Sequence, residues 1–253
     1  MVIARNHSTG LVAVAFAMGL VAADAGAQSA VSEIPDLTGV WQLGLCYGGT
    51  GRDCLLLEAD DELLTGRARA YRDAIDEVAQ PKYDCAAMSI PHMWTDPYSH
   101  QVEQLEDRVI LTYGKDDVVR TVWLEGHGHP RPAVNEFFYL GHSTGRYEDG
   151  ALVVETSRFT FDPQGLNADF KVPSSTQKKV TERYTREGEA LVLEVTTIDT
   201  FFLAEPWVFK VSSRPDPEPL DLPWNCDLDA TRQILKILPT SYPDDPAINR
   251  IEQ

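Results

Sequence analysis

The chain has 253 residues, and its 39 acidic side chains outnumber the 22 Lys and Arg side chains, which gives a formal net charge of −17. This length can bury the core of one large β domain, with two small domains as the alternative. Because so acidic a surface repels phosphate backbones and anionic lipids, the charge argues against nucleic acid and against a membrane as partners.

The N-terminal segment has the pattern of a secretory signal peptide. Arg5 precedes an apolar run over residues 11–23, which is too short to span a membrane comfortably. Ala25-Gly26-Ala27 supplies the small residues of a cleavage site before Gln28. We therefore expect residues 1–27 to be a signal peptide and the protein to be periplasmic or secreted.

Three elements are predicted before the main run of strands. Residues 36–43 indicate a first strand, in which Trp41 is large enough to fill one end of a core. Residues 57–78 combine helical spacing with good helix formers and predict the one early helix. Residues 82–98 contain Pro, Met and aromatic side chains without a period, so we expect a long ordered loop there.

The rest of the chain is typical of an antiparallel meander. Turn residues such as Glu148-Asp149-Gly150 separate short runs rich in β-branched and aromatic side chains. The predicted strands cover residues 102–113, 118–125, 136–142, 144–147, 152–159, 176–186, 191–200 and 207–213. From about residue 215 the chain is a Pro- and Asp-rich irregular tail, with a short helix expected within 227–238.

This pattern predicts a mainly β protein, an antiparallel lipocalin-like β-barrel of about eight or more strands with one early helix and a short C-terminal helix. Closure removes exposed sheet edges, and a barrel of about eight strands has room for side chains or one small ligand. Residues 28–253 would form this single domain. A two-sheet sandwich is the alternative.

Export favours disulfide bonds among Cys46, Cys54, Cys85 and Cys226. Four cysteines allow three pairings. We expect Cys46–Cys54, which flanks a Gly-rich turn, together with Cys85–Cys226, which would tie the tail to the body and constrain the unfolded chain most. A structural zinc site is the alternative, and the absence of Cys-x-x-Cys spacing argues against it.

Two motifs resemble those of known exported proteins. Gly39-Val40-Trp41 is similar to the Gly-x-Trp opening of lipocalin-type barrels. More broadly, the chain resembles a large family of exported bacterial proteins with an Asp-Leu-(Thr/Ser)-Gly-x-Trp start and a Gly-His-Ser-x-Gly-Arg-(Trp/Tyr)-Glu hairpin. The matching segments are Asp36 to Trp41, Pro97-Tyr98, His129-Pro130, Gly141 to Glu148, Leu152 to Thr156, Glu182-Arg183-Tyr184 and Pro206-Trp207. The resemblance implies a lipocalin-like barrel and no particular activity.

Candidate acid–base residues lie in and around this hairpin. His142 is the natural proton carrier, because the ordinary pKa of a histidine lies near neutrality. Glu155, Glu182 or Asp199 could orient it, and Arg146 could hold a developing negative charge. The alternative is structural, since cross-strand Glu–Arg pairs are common on solvated strands.

Aromatic side chains near these polar groups could line an apolar ligand pocket, although buried aromatics are more often core. The candidate ligand-binding residues are Trp94, Tyr98, Trp123, His129, Tyr184 and Trp207. A metal site built from His127, His129 and His142 is the weaker alternative, because glycines flank His127 and indicate a turn. We therefore expect neither a metal nor a cofactor.

Two functions fit these residues. The first is a cofactor-independent lyase or isomerase that moves a proton on a small hydrophobic compound, expected to be aromatic, inside the barrel. The second is a periplasmic binding protein for such a compound, without turnover. A Gly-x-Ser-x-Gly elbow, a phosphate-binding loop and a dinucleotide fingerprint are all missing from the sequence, which argues against those chemistries.

Overall fold

Nine β-strands close into one barrel in the computed structural model of the chain. The structure describes residues 34–43, 61–75, 80–129, 131–167 and 171–234. The predicted signal peptide and the predicted Cys46–Cys54 bond lie outside these residues. The mainly β prediction is confirmed.

Each strand is joined to the next in chain order, and the last pairs with the first. The strands are β1 Gly39–Leu43, β2 His100–Gln104, β3 Arg108–Tyr113, β4 Val119–Leu124, β5 His142–Glu148, β6 Ala151–Ser157, β7 Lys179–Glu187, β8 Ala190–Ile198 and β9 Trp207–Pro215. Two short α-helices accompany them, α1 Gly66–Ala74 and α2 Leu228–Ile234. Among the described residues, no helix is both long and apolar enough to cross a lipid bilayer.

Alternation of apolar and polar side chains explains how these strands bury one face. On β8 the side chains of Leu191, Leu193 and Val195 are buried, while those between them are more exposed. On β9 the same period buries Trp207 and Phe209. Because successive side chains point to opposite faces of a strand, this pattern fills the barrel interior with large apolar groups.

The predicted turn at Glu148-Asp149-Gly150 is present and joins β5 to β6. Glu148 pairs with Ala151, so Asp149 and Gly150 alone form the loop. Their φ angles of 49° and 70° are both left-handed. Two-residue hairpins with this conformation match strand twist and favour Asp-Gly, so the sequence specifies the register of this hairpin.

One pair of strands departs from the predicted antiparallel pattern. β4 and β5 run parallel, with Val122 opposite Ser143. The chain must therefore return to the starting end of the barrel between them, and it does so along a mostly exposed crossover over residues 125–141, of which 130 is not described. The strand predicted over 136–142 is wrong except for His142, which begins β5; in the rest of that range only Phe138 forms a bridge, an isolated one to Phe159.

A glycine ends this crossover for a steric reason. Gly141 has a φ of 71°, and a Cβ there would lie 2.6 Å from Thr156 Cγ2. Any other residue would clash with the barrel wall in an unfavourable backbone conformation. The chain can therefore enter β5 closely packed against Phe159 only through this glycine.

The early helix is shorter at its N-terminus than the sequence predicts. The side chain of Thr65 accepts a hydrogen bond from the Ala68 amide at 3.1 Å and caps α1. Before the cap, Leu64 forms an isolated bridge with Leu203, which holds the chain against the connection between β8 and β9. An N-cap of this kind sets the first residue of a helix, whatever the periodicity of the residues before it.

The predicted ordered loop over 82–98 covers one end of the barrel. It contains single-turn 3-10 helices at Pro81–Asp84 and His92–Thr95. The predicted disulfide Cys85–Cys226 is confirmed, with Cα atoms 6.0 Å apart, and it joins the start of this loop to the segment before α2. The loop and the tail are thus fixed to each other at the same end.

A buried lysine holds the middle of this loop. Lys178 Nζ donates to the Ile90 carbonyl at 2.6 Å and to Ser89 Oγ at 3.1 Å. Ser89 in turn donates to Asp162 at 2.6 Å, and Phe159 lies with its ring 4.2 Å from the ammonium group. Burial lowers the pKa of Lys178 to about 8, against the opposing effect of Asp162 and Asp199.

Candidate functional site

A polar cluster lies inside the barrel, built around Trp94 from the loop. The indole nitrogen of Trp94 donates to Glu182 at 2.7 Å, and the Tyr184 hydroxyl donates to the same carboxylate oxygen at 2.8 Å. Arg120 donates to the other oxygen at 2.6 Å. Trp94, Glu182 and Tyr184 were all predicted site residues, and the fold brings these three together. We call Trp94, His100, Arg120, Glu182 and Tyr184 the interior cluster.

Not every polar atom of the interior cluster has a partner. Nε and Nη1 of Arg120 and both ring nitrogens of His100 are buried without a hydrogen bond among the described residues. Burial lowers the pKa of His100 to about 3, so its imidazole is neutral at pH 7. Burial also raises the pKa of Tyr184, with the Glu182 charge adding to the effect, so the phenol remains a donor.

Sequence reasoning missed Arg120 and His100, although each carries a usable signal. On β4, Arg120 alternates in phase with the aliphatic residues Val122 and Leu124. On β2, His100 is in phase with Val102. A charged or polar residue in the inward phase of a strand is predicted to point into the barrel, where it needs a partner.

The free space that the described residues leave beside the interior cluster is small. A void of about 10 Å³ lies beside Arg120 and Trp94. That volume accommodates no more than about one water molecule. An organic ligand therefore does not fit in this void.

A larger cavity lies just outside, at the barrel end where β3 turns into β4. We call it the end cavity; its volume is about 480 Å³. Three segments and one further residue, Gln164, line it; the segments are the loop from residue 80 to Tyr98, the turn at Lys115 and Asp116, and the tail from Trp224 to Thr231. The 3-10 turn His92–Thr95 contributes His92 and Thr95 to this cavity, while Trp94 of the same turn enters the barrel.

Aromatic rings form part of the wall of the end cavity. Tyr98, a predicted ligand-binding residue, meets Trp224 edge to face, with ring centroids 5.1 Å apart. The Lys115 ammonium lies 5.1 Å from the centre of the Tyr98 ring and forms an ion pair with Asp96 at 2.8 Å. This wall therefore combines flat apolar surfaces with a paired charge.

Burial shifts the pKa values of two ionisable side chains that line the end cavity. Burial lowers the pKa of His92 to about 3, and the positive charges of Lys115, Lys178 and Lys82 add to this effect. Burial raises the pKa of Asp116, although Lys115 opposes the shift. His92 is thus neutral at pH 7, and its Nδ1 is buried without a hydrogen-bond partner in the described chain, as is Nε1 of Trp224.

His142 lies on the outer face of the barrel, away from both sites. Its ring is 5.3 Å from that of His129, which stacks on Trp123 at 6.1 Å. Partial burial lowers the pKa of His142, and the charges of His129 and Arg158 lower it further. Three predicted residues therefore meet here, under the crossover rather than in the barrel.

The remaining predicted residues are dispersed. Arg146 forms exposed ion pairs with Glu148 at 2.7 Å and Glu155 at 3.0 Å on the outer face. Asp199 is buried and accepts hydrogen bonds from the Ser175 amide and hydroxyl at 2.6 and 2.8 Å, which fixes the turn after β8. Trp207 is a buried core residue beside Phe209. The fold does not gather the predicted acid–base residues around one cavity.

In the part of the chain that the structure describes, no group of three or more His, Cys, Asp or Glu side chains is arranged to hold a metal ion. The chain matches no protein-family model and no curated protein sequence. The resemblance to exported bacterial barrels therefore stays a prediction, and function has to be argued from the geometry of the sites.

Proposed function

We propose that this protein is an extracytoplasmic binding protein for a small hydrophobic, aromatic molecule that carries a polar substituent. The ligand would occupy the end cavity. The observation that carries the proposal is the cavity itself, because about 480 Å³ lies in the range of small-molecule pockets, which are mostly apolar with a few placed polar groups.

The walls of the end cavity suggest the class of ligand. Tyr98 and Trp224 offer ring faces and edges to a flat molecule. Neutral His92 lines the cavity, and Lys115 and Asp96 supply a charge of each sign. An aromatic compound with a hydroxyl group can use both kinds of surface, whereas a purely apolar molecule would leave these polar groups unsolvated.

Binding without turnover fits the geometry better than a lyase or isomerase reaction. A proton-transfer catalyst needs its acid, base and donor within hydrogen-bond reach of one bound molecule. His142, Arg146 and Glu155 lie on the outer face. Glu182 and Tyr184 lie inside the barrel, where Trp94 is hydrogen-bonded to Glu182, and do not line the end cavity.

The proposal is tested with 2-naphthol, an aromatic probe with one hydroxyl group, by isothermal titration calorimetry on the full chain. We expect Trp224→Ala to weaken binding by up to about tenfold, since an aromatic contact contributes roughly 0.5–1.5 kcal/mol. Trp123→Ala, which removes an aromatic side chain from the outer face, is the matched control and should leave binding unchanged. Equal affinity in all three proteins would refute the end cavity as the site.

Mass spectrometry of small molecules that co-purify with the protein separates the two functions. A binding protein should retain an intact compound, and Trp224→Ala should lose it. If the wild type instead converts the compound that a His142→Ala variant retains, the protein is an enzyme and the binding proposal is wrong.

A further inference from the structure

Exposed apolar side chains gather on one part of the outer surface. Eleven large hydrophobic residues are exposed in the described chain, and five of them line two adjoining grooves. These five are Val134, Phe137, Phe161, Ile198 and Phe201. Single exposed hydrophobics are ordinary, whereas a contiguous set marks a surface that binds something.

The two grooves are continuous with each other. One has a volume of about 620 Å³ and lies between the crossover and the start of β7, and the other, of about 440 Å³, lies beside α1. Both are bordered by Thr176 and Gln177. We call the pair the outer groove. It shares no lining residue with the end cavity.

Positive charge accompanies the apolar residues. Arg67, Arg158 and Lys179 line the outer groove, and none of the three forms an ion pair within the described residues. No described residue lining either groove is Asp or Glu, although the chain has 39 acidic residues against 22 basic ones. In so acidic a protein, a surface that is both apolar and cationic is selective for negative charge.

Charge and apolar surface alternate at close range within the outer groove. Lys179 and Ile198 are direct cross-strand partners on the outer faces of β7 and β8. Arg67 places its guanidinium 4.5 Å from the centre of the Phe201 ring. Arg158 is held beside the crossover by hydrogen bonds to the carbonyls of Ala133 and Val134, at 2.7 and 3.3 Å. A ligand with a negative head and an apolar chain can therefore contact both kinds of group at once.

We propose that the outer groove binds a single-chain anionic amphiphile, such as an alkyl carboxylate. The carboxylate would lie at Lys179 and Arg158, and the alkyl chain would lie across Ile198 and Phe137. This site is independent of the end cavity. The net charge of −17 opposes docking on an anionic membrane and on a second copy of the chain. The same charge opposes the binding of a small monoanion much less, because the ligand carries only one negative charge.

The test compares decanoate with decyltrimethylammonium, which has the same chain and the opposite charge, by calorimetry below their micelle concentrations. Decanoate should bind and the cation should not. Ile198→Asp should weaken decanoate binding about tenfold, since it removes an aliphatic side chain that the ligand would cover and adds a like charge. Lys179→Glu should weaken it similarly, and Val119→Asp, an equally accessible position on β4, should have no effect.

Three outcomes would overturn the proposal. Equal binding of the two amphiphiles would mean that the groove recognises apolar surface alone. Sedimentation of the wild type as a dimer, with Ile198→Asp a monomer, would assign the groove to a second copy. Co-sedimentation with phosphatidylglycerol vesicles that Ile198→Asp abolishes would assign it to a membrane. The 2-naphthol titration of Trp224→Ala tests the end cavity, and its outcome does not change the decanoate result at the outer groove.

Discussion

Arg120 and Glu182 form an ion pair inside the barrel, with side-chain exposures of 3% and 0%. Removing two charges from water costs several kcal/mol each, and their attraction offsets that cost only when hydrogen bonds complete both groups. Glu182 has three donors, whereas Arg120 has two buried nitrogen atoms without a partner in the described chain. The pair therefore contributes more to the position of Trp94 than to stability.

Breaking this ion pair on one side should be costly. Arg120→Met leaves the Glu182 charge buried without its cation, so we expect a loss of about 3–5 kcal/mol in the free energy of unfolding. The double variant Arg120→Met/Glu182→Gln keeps an acceptor for Trp94 and Tyr184 and removes both charges, so it should recover most of that loss. Urea denaturation measures both. A double variant less stable than the single one would contradict this account.

Acid should destabilise the protein through its buried histidines. The pKa of His100 falls from its ordinary 6.5 to about 3 on burial, so only the unfolded chain takes up the proton between these values. Stability contributed by the neutral imidazole is therefore complete above pH 6.5 and is lost as the pH falls toward 3. The loss has a slope of up to about 1.4 kcal/mol per pH unit for each such histidine.

The variant His100→Phe isolates this effect. An apolar ring of similar size keeps the edge contact with Trp94 and removes the two unpartnered nitrogens, so we expect a smaller loss of stability between pH 6.5 and 4. Urea unfolding at several pH values measures the slope. His127→Phe, on the exposed turn after β4, is the control and should retain the wild-type slope. His92 should continue to contribute in both variants.

At the scale of elements, the loop that covers the barrel end depends on Lys178. Its pKa falls from 10.5 to about 8 through burial, so the unfolded chain holds this proton more tightly than the folded one. Stability should therefore fall by about 3 kcal/mol as the pH drops from 10.5 to 8 and show no further change from this group below 8. Lys178→Met should abolish this dependence, although it also leaves the Ile90 carbonyl without its donor.

Differential unfolding of wild type and variant between pH 8 and 10 measures the contribution of Lys178. Lys179→Met changes the adjacent, exposed lysine and is the matched control. Its curve should parallel that of the wild type. If Lys178→Met also parallels the wild type, the ammonium group is solvated and does not hold the loop as described.

How well each element could be predicted from sequence depends on whether its cause is local. The alternation of apolar and polar residues and the Asp149-Gly150 turn are local signals. They predicted β6 to β9 and the turn between β5 and β6 correctly. The parallel β4–β5 pair results from a crossover whose course depends on contacts of Phe138 with the barrel wall, which no local pattern encodes. Residues of the hairpin attracted the functional prediction because they are dense in polar groups, yet His142 and Arg146 point outward.

For the whole molecule, the Cys85–Cys226 bond should be a major source of stability. It joins cysteines 141 residues apart, and a loop that long restricts the unfolded chain by about 5 kcal/mol in the chain-entropy estimate. Cys85→Ser/Cys226→Ser should thus lower the free energy of unfolding by about 2–5 kcal/mol and weaken 2-naphthol binding, because both cysteines line the end cavity. A loss below about 1 kcal/mol in urea denaturation would show that the unfolded chain is already compact there.

The lengths of the strand pairings divide the barrel unequally. Among the described residues, β1 is paired over three positions on each side, and the parallel β4–β5 pair also covers three, whereas the other pairs cover five to nine. In the part of the chain that the structure describes, the barrel is thus two antiparallel sheets, β2–β4 and β5–β9, joined by the short pairings of β1 and of β4 with β5. Local opening takes place where the fewest contacts must break. Detachment of β1 would separate Trp41 from His100 and expose the barrel interior to solvent while the long hairpins stayed intact.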